Sequence, residues 1–354
     1  MLVAAGLLVT VLVAAGVTLA VLQYQSRTNT QQVNLRSGVT IAEDSAIVQA
    51  AARAQPAVVS VVTQQQPTLA RGSGYLATTD GYIVTSVDVI AGAGAMTVLV
   101  PRDDKTHDAR LVDYDCQTGV AVIKIDKVSG LPTLAFADPN ALVQGQVIVA
   151  VGGPFEGGAV TPGYVAAMHR VVSIANPSFA NPTSTVRVLE LSDTIQTSAV
   201  ISSGTAGGPL LNVGGQVIGI AMKSESSTGV NGFGLNVADI QDDVQQILQT
   251  GQVVVSSLGA SSTDISPEVA SLRGLPVGSQ LVVLDKGGPA TSAGLQPGDV
   301  VTQLDDVKLD AAHPLRLLLR SRFHPNQRVT VTYSRSGVST QAQVTLSGQR
   351  PTCT

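Results

Sequence analysis

Apolar positions fall into three regimes along the chain. From Met1 through Gln25 the text MLVAAGLLVTVLVAAGVTLAVLQYQ carries no charge, and apolar residues run almost unbroken to Leu22. About 20 such residues suffice for a helix to cross the hydrocarbon core, so residues 1–23 are predicted as one N-terminal transmembrane helix. A cleaved signal peptide is the alternative reading, with Thr18-Leu19-Ala20 as its cleavage site. The run is longer than an ordinary h-region, however, and no basic n-region precedes it. Residues 24–45 turn polar without a clear period and predict a linker.

From residue 46 onward the apolar positions come in short runs. AIVQAAARAQP has helical spacing stopped at Pro56, and Ala57 to Val62 follows as a β-branched run. Strand-like segments then recur at Gly74–Leu76, Gly81–Thr85, Met96–Val100, Ala109–Asp113, Val120–Ile125, Val147–Val151, Gly163–Met168, Thr194–Thr197, Gln216–Met222 and Gly232–Asn236. So many short strands, often parted by glycine turns, predict a mainly β barrel or sandwich rather than a parallel α/β sheet. Val237, Ile240, Val244, Ile247 and Leu248 have helical spacing, stopped by Gly251, and predict a closing helix at a domain end. Beyond it, RVTVTYSRSGVSTQAQVTL predicts a hairpin turning at Ser336-Gly337.

Composition narrows the function classes. With 44% hydrophobic and 13% charged residues, the 354-residue chain can bury sizeable cores in two or three domains. A formal net charge of -4 and no Lys/Arg cluster argue against nucleic acid as a partner. His107, His169, His313 and His324 are widely separated and no CxxC occurs, so no metal site and no cofactor are predicted. Cys116 and Cys353 are expected as two separate thiols, with a single bridge left open.

The segments RGSGYLATTDGYIVTSVDVI, ARLVDYDCQTGVAVIKI, VIVAVGGPFEGGAVTPGYVAAMHR, IQTSAVISSGTAGGPLLNVGGQVIGI and GFGLNV stand in one order and spacing. Together with Ala-Gly-Leu-x-Pro-Gly-Asp at Ala293 to Asp299, they resemble the HtrA (DegP-like) family of exported bacterial serine proteases. The resemblance implies a chymotrypsin-like double β-barrel over 46–251, a PDZ domain over 252–348 and a tail over 349–354. It also implies where catalysis would sit. Triad chemistry needs a hydroxyl nucleophile, an imidazole to take its proton and a carboxylate to orient that imidazole. The family's histidine position corresponds to Asp88, its aspartate position to Gly119 and its serine position to Ala206. All three reactive groups are absent, so no catalytic residue is predicted and hydrolysis is not expected. An aspartate is a poor base for a hydroxyl, and a nucleophile moved by one residue leaves the oxyanion geometry.

Backbone donors need no side chain, so Gly204 and Ala206 are expected to keep an oxyanion-hole-like N–H pair. For the PDZ domain, the resemblance implies that Ser257, Leu258, Gly259 and Ala260 form the backbone nest that takes a peptide end, with a leucine-rich groove helix at Leu315 to Leu319. The expected function is a membrane-anchored, extracytoplasmic pseudoprotease binding protein or peptide partners as a scaffold or adaptor subunit. It would sit by a single pass in the bacterial cytoplasmic membrane, with homo-trimer or membrane-complex assembly left open. A serine endopeptidase with a rewired active site is the alternative.

Overall fold

The computed structural model describes residues 17–18, 46–65, 68–92, 94–101, 105–155, 158–175, 188–222, 232–310 and 313–351. Twelve of its strands close into two barrels, each antiparallel and six-stranded. The first is built from β1 (Val58–Gln65), β2 (Thr68–Leu76), β3 (Tyr82–Ser86), β4 (Met96–Val100), β5 (Lys105–Asp115) and β6 (Val120–Ile125). It closes where β1 pairs with β4, Ser60 opposite Leu99. β6 is buried along its whole length. A strand covered on both faces has no alternation, which is why Val120 to Ile123 read as a continuous apolar run, while Lys124 is buried with its ammonium on Asp80.

The second barrel uses β7 (Val147–Val151), β8 (Val160–Ala175), β9 (Val188–Thr197), β10 (Pro209–Leu211), β11 (Val217–Met222) and β12 (Gly232–Asn236). One apolar core runs through both barrels, from Val58 and Ile83 to Leu191, Leu211 and Leu235. The helix Val237–Thr250 closes the pair. The Asn236 side chain caps its start by accepting from the Ala238 N–H, and Gly251 ends it at a φ of 78°.

The C-terminal strands are β13 (Val255–Ser257), β14 (Ala260–Ile265), β15 (Gly278–Leu284), β16 (Val300–Leu304), β17 (Val307–Lys308), β18 (Arg328–Arg335), β19 (Val338–Thr345) and β20 (Ser347–Gln349). β14-β15-β16-β18-β19 form a sheet with β14 at one edge, and β13 pairs with β20. Ser336 and Gly337 both take positive φ in the β18–β19 turn, as a two-residue hairpin loop requires. The helix Leu315–Ser321 packs Leu315, Leu318 and Leu319 into a core with Leu258, Leu281, Leu304 and Val331.

Two expectations are corrected. Among the described residues no helix is long and apolar enough to cross a membrane, so the predicted membrane-spanning helix is not found. Of that segment only Val17 and Thr18 are described. Cys116, buried in the β5–β6 loop, is disulfide-bonded in place of the free thiol that the sequence predicts. Pairing depends on tertiary proximity, which sequence spacing does not encode. Cys353 lies outside the described residues.

Candidate functional site

At the end of β3 the chain turns into a four-residue helix, Val87–Ile90, that carries Asp88. The Val87 N–H donates to the Gly119 carbonyl at 2.8 Å. On the other side of Asp88, the Val89 Cγ2 methyl stands 2.7 Å from where a Cβ on Gly207 would lie, next to Ala206. The fold therefore brings Asp88, Gly119 and Ala206 to one place at the junction of the barrels.

That place is filled. Ala206 is 3% exposed and belongs to the core shared by both barrels. Gly119 has a φ of +81°, and a Cβ there would meet Leu235 at 3.0 Å and Leu191 at 3.2 Å. Any side chain at 119 would thus carry backbone strain and press on two leucines of the second barrel.

The turn before β10 is held by its own bonds. The Ala206 N–H donates to the Ser202 carbonyl at 2.9 Å, so this member of the expected donor pair is spent within the turn. The Gly204 carbonyl accepts from Ser73 Oγ at 2.6 Å. Thr205 is fully buried, its hydroxyl receiving the Ser202 N–H at 2.8 Å. Elsewhere, exposed His169 sits 3.0 Å from Asp193, to which Asn236 also donates. Sequence gave no sign of this pair, whose members lie 24 positions apart. Among the described residues no serine or threonine hydroxyl bonds His169, and no group of three or more His, Cys, Asp or Glu side chains is placed to hold a metal.

A second concavity is better formed. Edge strand β14 and the helix Leu315–Ser321 enclose a groove of about 650 Å³, lined by Ser257, Leu258, Ala260, Ser261, Leu315 and Leu319, among others. Gly259 takes a φ of +64°, and a Cβ there would stand 2.7 Å from Pro289 Cδ, so the nest turn requires glycine. Its N–H is taken by Ser257 Oγ at 2.9 Å. Ser256 Oγ donates to the Phe323 carbonyl at 2.8 Å, tying the C-terminal end of the groove helix to the nest.

The first barrel reaches this groove through Gln117. The helix residue Arg320 enters the barrel's β5–β6 loop, pairing with Asp115 and, at 2.7 Å, with Asp243; Thr118 also donates to Asp243, at 2.8 Å. Burial raises the Asp243 carboxyl to about 8, helped by the charges of Asp239 and Asp242 against the Thr118 bond. Burial also lowers the Arg320 guanidinium to about 10. Two buried carboxylates, Asp115 and Asp243, thus share one guanidinium. One helical turn earlier, burial and the charge of Asp193 raise Asp239 to about 7, opposed by Arg316. Sequence reasoning missed Gln117, Arg316 and Arg320, because their roles arise from contacts across domains.

Against known proteins, residues 72–220 match the trypsin-like peptidase domain and residues 217–346 the PDZ domain. The probable periplasmic serine endoprotease DegP-like of Chlamydia trachomatis is 33% identical over 294 residues, covering 81% of this chain and 56% of that protein. The serine protease Do-like HtrA of Lactococcus lactis is 33% identical over 285 residues, covering 76% and 67%. The chain thus spans little more than half the length of the first of these relatives. Among solved structures, HtrA-type protease AlgW with decapeptide aligns with a TM-score of 0.68 at 28% identity, covering 86% of this chain and 99% of that one.

These findings also correct the expected function. The curated relatives are described as a serine endoprotease and a serine protease and the solved neighbour holds a decapeptide, while no described helix supports a single-pass membrane location. Single-pass membrane anchoring, with the membrane as partner, is therefore set aside. The endopeptidase alternative fits the relatives better.

Proposed function

The chain belongs to the HtrA family, and from that premise we propose that it binds extended peptide segments in the groove between β14 and the helix Leu315–Ser321. The observation that carries this reading is the edge position of β14, which pairs with β15 on one side only. An extended segment laid along that edge gains main-chain hydrogen bonds, while Leu258, Leu315 and Leu319 receive its apolar side chains. In this reading the barrel cleft performs no triad hydrolysis, because Asp88, Gly119 and Ala206 supply neither nucleophile nor imidazole.

The test is fluorescence polarisation of the whole chain with a labelled decapeptide ending in apolar residues, beside the same peptide N-methylated at alternate residues. Binding at about micromolar affinity, lost on N-methylation, is expected. Equal binding of both peptides would rule out strand addition. A second reading, endopeptidase activity through a rewired site, draws on relatives described as a serine endoprotease and a serine protease. Casein turnover, or labelling by a serine-reactive fluorophosphonate, would favour that reading over the first.

A further inference from the structure

Gln117 belongs to the first barrel yet lines the groove of the PDZ domain. Its own N–H is tied to Asp115 Oδ1 at 2.7 Å, which fixes the loop from which the side chain extends. Arg320 Nη1 donates to Gln117 Oε1 at 3.4 Å. A guanidinium has only donors, so it must face the amide oxygen, and the amide NH₂ is turned the other way. That leaves Gln117 Nε2, turned away from Arg320, as a donor on a side chain that lines the groove.

The position of this donor matters. The Ser256–Phe323 bond sets the C-terminal end of the groove helix, where Arg320 lies, beside the nest. A segment added to β14 with its carboxyl end at the nest therefore finishes in the concavity that Gln117 also lines. The nest is short of donors there, because the Gly259 N–H is already taken by Ser257 Oγ. A second group at the junction has capacity left. Arg320, whose side chain is 9% exposed, keeps its Nε buried without a hydrogen-bond partner among the described residues.

We infer that Gln117 is a barrel-borne specificity residue of the peptide groove, its Nε2 donating to the terminal carboxylate of a bound peptide in place of the spent Gly259 N–H. This rests on the groove reading above and adds to it a contact supplied by the first barrel. The probe is the same labelled decapeptide as free acid and as C-terminal amide, measured on wild type, Gln117→Met and Gln117→Ala. Thermal unfolding checks that each variant is folded.

Wild type is expected to prefer the acid. Both variants should weaken acid binding roughly tenfold, as loss of a hydrogen bond to a charged group does, and leave the amide within about twofold. Three results would overturn the inference: equal binding of acid and amide by wild type, variants that match wild type on both peptides, or an equal loss on both, which marks a merely structural role. The groove reading fails separately, through wild type that binds neither peptide or binds the N-methylated one as well.

Discussion

Ala206 contributes a methyl group and a spent N–H where a nucleophile would stand, and it is buried. Restoring a hydroxyl alone leaves it with no imidazole to deprotonate it. Ala206→Ser is therefore expected to give no casein turnover above that of the wild type. The triple variant Asp88→His, Gly119→Asp, Ala206→Ser should also fail, for a further reason. At φ +81° and 3.0 Å from Leu235, an aspartate at 119 strains the backbone and overpacks the junction. The cost is about 1–3 kcal/mol, visible as a lower Tm. Turnover by either variant would mean that the junction opens far more easily than its packing implies.

Among the elements, the helix Leu315–Ser321 faces two ways. It supplies Leu315 and Leu319 to the groove and sends Arg320 into the barrel between Asp115 and Asp243. Arg320→Ala strands the fully buried Asp115 without its cation, which typically destabilises by about 3–5 kcal/mol. A clear fall in the urea midpoint should report it, and an unchanged midpoint would show that the cluster contributes little. The helix was legible from its leucines, and the closing helix from its period and Gly251. β6 was legible from its apolar start, Val120 to Ile123, whereas the three-residue β10 is too short to carry a pattern and went unseen. The contact of Arg320 with Asp115 spans 205 positions between polar residues that local periodicity treats as surface.

For the molecule as a whole, buried acids set the pH response. Asp239 is raised from 3.8 to about 7, so between those values the folded protein keeps a proton that the unfolded chain has lost. Stability from this group therefore falls as pH rises from about 4 to about 7, and the deficit stays in full above that. Asp243 extends the same trend to about 8. Asp239→Asn, neutral throughout, is expected to raise Tm over wild type at pH 8 and to match it near pH 4. Parallel Tm profiles would contradict the assigned shift. At this scale the sequence was least informative. Short strands leave barrel and sandwich equally open, and the choice rests on closure of β1 against β4. The apolar run at the N-terminus predicted a spanning helix that the described residues do not contain.

The stretch after Gly251, where sequence places a domain border, has its main chain engaged on the barrel side. The Val253 N–H donates to Asp113 at 2.8 Å and the Val254 N–H to Gln246 at 3.2 Å. Arg350, at the far end of the same domain, pairs with Asp113 as well. Entry and exit of the domain are thus riveted to one carboxylate. Mechanically the border is a weld rather than a joint, and a pull on the C-terminal sheet loads the first barrel directly.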